Sequence, residues 1–394
     1  MSHPAPDQRA GHRQRILGIP PQETPLRSTA RALVLLLPLL LVGAHARQGT
    51  GFSTLVERLS EAGGYFDSDN LVSNETSYLH VLGALRREGV KGGAYIGVGP
   101  EQSFSYIAEI QPEVAFLVDV RRDNLLLHLL LKTMFMAAEN RLDFLTMLYG
   151  RPPPPDLDRW TNRPLEDLLL YVDAVQVDSA HHDRTHSRLM REVTRLGVPL
   201  SAEDRTTIRR FHDEFMAEGL SIRFQSRGRP VRRQYPTARD LYLSTDLEGQ
   251  PGSYLATEDR FRVVQALQRA DRVVPVVGDL AGPKAVRAIG DYLREQGQTV
   301  SLFYLSNVEF YLFRFDTFRP FAENALSLPV GERAMLVRSI FNRTFMHPAW
   351  VPGNLSIQML QRWPDFAAYV ADPSRVSYWG LTNEAAHVEL RSEP

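Results

Sequence analysis

Two apolar patterns alternate along this chain, and their alternation predicts its architecture. The first stretch runs from a short helix around Ser53 to Ala62 into a Gly/Asp/Asn-rich loop, GGYFDSDN. Tyr78, Leu79, Leu82 and Leu85 then recur at helical spacing, behind Ser73 or Asn74 as a cap and ahead of Gly89 as a stop. Ala94 to Ile96 is short, apolar and partly aromatic, and enters Gly97-Val98-Gly99-Pro100. A helix fits Glu101 to about Ile110. Val114 to Val118 is a continuous apolar run ending at Asp119, as a strand covered on both faces requires. A strongly apolar helix follows from about Asp123 to Ala138. Strand, glycine turn, helix, strand and acid make one βαβ unit.

Residues Leu142 to Gly219 read as helical, interrupted by the rigid run Pro152 to Pro155. Helices are predicted over Leu165 to Val177 and His182 to Leu196. A third starts at the capping box Ser201-Ala202-Glu203-Asp204 and ends at Gly219. Leu220 to Phe224 suits a strand, and Gln225 to Arg239 a basic, proline-containing loop. The α/β rhythm then returns: helix Glu258 to Ala270, strand Val273 to Val277 reaching Gly278-Asp279, and helix Lys284 to Gln296. Strands over Val300 to Leu305, reaching Ser306-Asn307, and over Ala334 to Phe341 follow. Pro275 points to an irregular or edge strand. LSIQMLQRW reads as a helix, and the tail from Asp372 as irregular with a short strand at Val376 to Tyr378.

The expected fold is therefore α/β and Rossmann-like: a mostly parallel sheet, helices on both faces and a helical insertion. The two halves of the α/β domain fall at 47–141 and 220–350, the insertion or cap at 142–219, and a C-terminal helix and tail at 351–394.

Composition narrows the chemistry. Hydrophobic residues are 43% and charged residues 23% of 394, ordinary for a globular chain. A formal net charge of -1 provides no global field for nucleic acid, and none is expected as a partner. Cysteine is absent, which excludes disulfides, thiolate metal sites and cysteine nucleophiles. Residues 1–46 read as a signal peptide or N-terminal anchor. Arg27 and Arg31 precede the apolar run Ala32 to Ala44, broken by Pro38, and the small-x-small site Ala44-His45-Ala46 follows. The expectation is export to the periplasm or beyond, with membrane contact only through that segment if it stays uncleaved.

Ligands of doubly wound sheets bind beyond the carboxyl ends of the strands. Gly97 and Gly99 at the first strand end permit a tight turn and close ligand approach. Asp119, about twenty residues on, suits ribose hydroxyls. Asp279 would accept from an adenine amino group, and Asn307 would sit beside the reacting end. Asn307 and Glu309 are the candidates for a catalytic role. The plain alternatives are a simple turn at the glycines, an Asp119 that caps a helix or pairs with Arg121 or Arg122, an Asp279 that braces its loop, and an Asn307 and Glu309 that cap a helix. Asn74 and Glu75 either start their helix or reach the pocket.

His182 and His186 share a helix face, with Asp178 one turn earlier, but no H-E-x-x-H pattern accompanies them, and no metal is expected. Arg227, Arg229, Arg232 and Arg233 form a basic cluster that fits either a solvated loop or an anion. No nucleophile elbow or Walker sequence occurs.

The strings GVGPEQ, FLVDV, VVGD and FYLSN resemble the motif I glycine turn, the second-strand acid, the third-strand acid and the catalytic strand of class I methyltransferases. More closely, SNETSYLHVLGALR, YIGVGPEQSFSYIAEIQPEVAFLVDVRR and FYLSNVEFYLF resemble a bacterial family of exported, methyltransferase-like proteins without an established activity, over about Tyr65 to Phe341. The resemblance implies S-adenosylmethionine as the cofactor, held by Gly97, Gly99, Asp119 and Asp279. The methyltransferase pattern has a third glycine where Glu101 stands. The expected function is an exported protein whose pocket is vestigial or repurposed for a small molecule or an envelope partner. The alternative is an S-adenosylmethionine-dependent methyltransferase.

Overall fold

A computed structural model of the protein describes residues 48–68, 70–341 and 347–391. The signal-peptide reading of 1–46 lies outside them. Among the described residues no helix is long and apolar enough to cross a membrane.

Six strands form one sheet in the order β3-β2-β1-β4-β5-β6. They are β1 (Ala94–Gly97), β2 (Val114–Asp119), β3 (Val273–Val277), β4 (Val300–Tyr304), β5 (Val330–Ile340) and β6 (Ile357–Arg362). β1 to β5 are parallel, and β6 pairs antiparallel with β5. The fold is Rossmann-like α/β. The central strands β1 and β2 are buried on both faces, which is why they read as unbroken apolar runs. β3 lies at the sheet edge, the position that tolerates Pro275.

The order runs outward from β1 to β3 and then reverses, so β4 returns to β1's other side. That switch point opens a crevice at the strand tips. The helix Arg122–Ala137 is apolar nearly all round because it lies between the sheet and the helical block, touching β2 and β3 on one side and the helices Ser179–Arg195 and Ala202–Glu218 on the other. The capping box at Ser201 and Asp204 forms as its spacing requires.

Three local expectations are corrected. Leu220 to Phe224 is a turn of 3-10 helix followed by an isolated bridge from Arg223 to Thr237, not a strand. Val376 to Tyr378 is not a strand either; a short helical segment begins at Tyr378. LSIQMLQRW supplies β6 rather than a helix. Its residues up to Gln361 are buried, and its two glutamines, Gln358 and Gln361, are 1% and 0% exposed. Gln358 donates to Glu75 and Gln361 to the Ala386 carbonyl, so polar residues interrupt what would otherwise read as an apolar strand.

Candidate functional site

Four of the five parallel strands, β1 to β4, end in a turn that sets one wall of the crevice. After β1, Gly99 adopts φ +84°, and a Cβ there would meet the Gln102 side-chain amide at 2.8 Å. Its carbonyl is bonded by His128 Nε2 at 3.0 Å. Burial pushes His128 down to about 4, so the ring is neutral. Gly97 does different work. The Tyr95 side chain lies over it, its hydroxyl 2.3 Å and its ring carbons 2.6 Å from where a Cβ would stand, so Gly97 makes room for an aromatic layer below the crevice.

After β2, Asp119 is held by Arg121. The guanidinium Nε and Nη2 donate to Oδ1 and Oδ2 at 3.0 and 2.6 Å, and the Arg121 amide donates to Oδ1 at 2.9 Å. Arg121 Nη1 also donates to the Ser68 carbonyl at 2.6 Å, which ties the loop before Asn70 to this tip. After β3, Asp279 Oδ1 accepts the Ala281 amide at 2.9 Å, while its own amide donates to Glu61 at 2.9 Å. Asp279 thus braces its loop with one oxygen only.

After β4, Ser306 sits at φ +50° between strand and helix Val308–Arg314. That uncommon conformation is pinned from both sides. The Ser306 hydroxyl donates to Glu75 Oε1, and its carbonyl accepts the Ser339 amide at 2.7 Å. Glu75 is fully buried and also accepts from Ser339 Oγ at 2.5 Å and Gln358 Nε2 at 3.0 Å. Burial raises its carboxyl above the usual range, and these bonds pull it back.

Gly99, Asp119, Asp279 and Asn307 all line one cavity of about 250 Å³. Val118, Leu280 and Leu312 give it apolar walls, and Tyr65 and Phe66 bound it from the preceding loop. No residue of 122–277 lines it, so the helical block stands beside the cleft rather than over it. Gly97 and Glu309 do not line it. Glu309 is 2% exposed and takes Arg338 Nε and Nη2 at 2.6 and 3.2 Å, a buried ion pair behind the helix that Asn307 begins.

Glu101 points away from the cleft. It accepts from Tyr254 at 2.8 Å and Tyr242 at 3.2 Å, and burial pushes it up to about 7. A second hollow of about 870 Å³ adjoins the cleft and shares Tyr65, Phe66, Asn307, Tyr311 and Phe315 with it.

The sequence of the described region belongs to a recognised family: residues 70–151 and 205–392 match a domain of unknown function, DUF7790. This chain is a DUF7790 protein. All four strand tips of the cleft fall inside the two DUF7790 segments, while 152–204, the middle of the helical block, falls between them. No curated protein matches the chain.

In the helical block, partly between the two DUF7790 segments, the histidines form a separate cluster. His186 Nδ1 meets His212 Nδ1 at 3.1 Å, His212 Nε2 reaches the Met147 carbonyl at 2.9 Å, and His182 Nε2 reaches Asp213 at 2.8 Å. Asp178 caps the helix through the His181 amide, and Asp183 pairs with Arg209. Among the described residues no group of three or more His, Asp or Glu could hold a metal ion. The basic cluster divides: Arg227 pairs with Asp123, while Arg229 and Arg232 line the larger hollow.

Sequence reasoning did not place Tyr65, Phe66, Asn70 or Arg121 at the cleft. The Gly/Asp/Asn-rich composition around Tyr65 signalled a loop, but the bonds from Arg121 to the Ser68 carbonyl and from the Gly64 amide to the Val120 carbonyl are what bring that loop over the strand tips.

Proposed function

We propose that this protein binds S-adenosylmethionine in the strand-tip cleft and transfers its methyl group to a molecule held in the adjoining hollow. The observation that carries this reading is that Gly99, Asp119, Asp279 and Asn307, from four separate strand ends, open onto one cavity. Bound there, the cofactor supplies an electrophilic methyl group; the chain supplies binding and orientation. The Gly99 turn admits close backbone approach. Asp119 has four acceptor directions and Arg121 fills three, leaving one at Oδ2 for a ribose hydroxyl. Asp279 Oδ2 is available to an amino group, beside the apolar surface of Leu280 for a flat base. Two carboxylates against one guanidinium leave the cleft with a formal excess of negative charge, which favours a cationic ligand. With Glu101 turned into the tyrosines, no third carboxylate crowds the glycine turn.

A second reading is favoured by the Ala32 to Ala44 segment: an exported protein whose cleft holds another small molecule, apart from the compartment that makes the cofactor. Calorimetric titration with S-adenosylmethionine and S-adenosylhomocysteine separates the two. Binding that Asp279→Ala weakens supports the first. Silence at millimolar ligand, together with a natural N-terminus near Arg47, leaves the second.

A further inference from the structure

The larger hollow has a composition unlike the rest of the surface. Four aromatic side chains are strongly exposed among the described residues: Tyr65 at 72%, Phe310 at 42%, Phe315 at 66% and Trp379 at 49%. All four line this hollow. Exposed aromatic surface is costly to leave in water, and its concentration at one place marks a binding site.

Charge is equally one-sided. Arg229, Arg232 and Arg314 line the hollow against a single acid, Asp67. Asp67 stands 3.5 Å from Arg229. Among the described residues, Arg232 and Arg314 have no carboxylate partner; each instead lies near a ring, Arg232 at 5.8 Å from the Tyr235 centroid and Arg314 at 5.9 Å from Phe315. Guanidinium groups without acids, set among aromatic faces, match a flat ring carrying an oxyanion: the anion takes the paired N–H donors and the ring stacks. A hollow of about 870 Å³ is the size of a small-molecule site.

We infer that this hollow binds the methyl acceptor, and that the acceptor is a small aromatic compound bearing a carboxylate or phosphate. The word acceptor rests on the cofactor reading; the binding chemistry stands without it. Five residues shared between the two cavities let one end of such a compound reach the cleft while its anion stays among the arginines. Arg232 comes from the loop that the sequence marked as basic, and Arg314 from the end of the helix after β4, so the site assembles two distant segments.

The test uses the full chain and four probes: naphthoate, naphthyl phosphate, naphthalenemethanol and cyclohexanecarboxylate. Binding is read by quenching of tryptophan fluorescence and by calorimetry. The naphthyl anions should bind at least roughly tenfold tighter than the neutral alcohol and than the non-aromatic acid, with affinity falling as salt rises. The preference between naphthoate and naphthyl phosphate identifies which oxyanion the arginines fit. Paired substitution of Arg232→Gln and Arg314→Gln should remove the advantage of the anions while leaving the thermal midpoint in place, since both residues are exposed. Anions that bind no better than the alcohol, or a double variant that binds them unchanged, overturn the inference. Failure of the cofactor reading looks different: S-adenosylhomocysteine then gives no heat while the naphthyl anions still bind.

Discussion

Arg121 holds Asp119 through two guanidinium nitrogens and its own amide, so the carboxylate at the tip of β2 is both a candidate ligand contact and part of the tether that fixes the Ser68 loop. Asp119→Ala therefore tests two things together. Arg121 is 4% exposed, and removing Asp119 takes away the carboxylate that accepts from two of its guanidinium nitrogens and its amide. A loss of about 3 kcal/mol in denaturant unfolding is expected. Asp279 is exposed and bonds one loop amide, so Asp279→Ala should cost under about 1 kcal/mol. If the cleft binds a nucleoside cofactor, both variants lose affinity for S-adenosylhomocysteine and only the first loses much stability. Equal stability losses would contradict the different burial of the two acids.

Glu309 and Asn307 are two residues apart but belong to different environments. The Glu309–Arg338 pair has both side chains within 2% of full burial. Glu309→Ala should destabilise the protein by about 3–5 kcal/mol. Under conditions where the variant remains folded, ligand affinity should match the parent protein. Asn307→Ala should do the reverse, sparing stability and weakening binding at the junction of the two cavities. A folded Glu309→Ala protein with lost ligand affinity would place Glu309 at the site after all.

The buried carboxyl of Glu101 makes stability depend on pH with a definite sign. Its folded value, about 7, lies above the ordinary 4.5. The folded state thus binds the proton more tightly than the unfolded chain. The stability this group contributes is present below 4.5 and is lost as pH rises through about 7. Glu101→Gln keeps the shape and the bonds to Tyr242 and Tyr254 without the charge. At pH near 8 it should be more stable than the parent by roughly 1–3 kcal/mol, and the advantage should vanish near pH 4. Urea unfolding at the two pH values checks this; an advantage independent of pH would point to packing instead.

The histidine cluster has the opposite sign. Burial lowers His212 to about 3 and His186 to about 4, against an ordinary 6.5. The unfolded chain takes up these protons first. Stability is therefore intact above about 6.5 and drains as pH falls toward these lowered values. A fully shifted histidine contributes a loss of about 2 kcal/mol between pH 7 and pH 5. His212→Gln should reduce the difference in unfolding free energy between those two conditions by about that amount. An unchanged difference would show that His212 already protonates without unfolding.

Much of this fold was legible because parallel strands such as β2, and the edge strand β3 as well, are buried along their length. Val114 to Val118 and Val273 to Val277 carry that burial openly, and Asp119 and Asp279 stand at their ends because a parallel strand's tip is where polar chain can begin again. β6 was not legible. Its buried Gln358 is satisfied by Glu75, some 280 positions away, and no local pattern reveals such a partner. The same holds for the site. Four strand tips followed from the sequence, but the direction of Glu101, the clamp on Asp119 and the aromatic hollow depend on residues brought together from loops. Nor does the motif reveal that Gly97, unlike Gly99, lies off the cavity lining and beneath the Tyr95 side chain.

Gly97 and Gly99 are two residues apart in a motif usually read as one unit, and the structure gives them separate tasks. At Gly97 an added Cβ would fall 2.3 Å from the Tyr95 hydroxyl and 2.6 Å from ring carbons of a fully buried side chain. The ring cannot retreat, because Tyr106 packs beside it. Gly97→Ala should therefore cost about 2–3 kcal/mol through overpacking, with ligand affinity recovered wherever the protein is folded. At Gly99 the obstacle is the end of a flexible Gln102 side chain, but the backbone itself is at φ +84°. Gly99→Ala should cost about 1–2 kcal/mol through that conformation, and because Gly99 lines the cleft it should also weaken ligand binding at full folding. Comparing the two variants by unfolding and by titration separates packing beneath the sheet tip from approach of a ligand above it. A Gly99→Ala protein that keeps its affinity would remove the glycine turn from the binding surface.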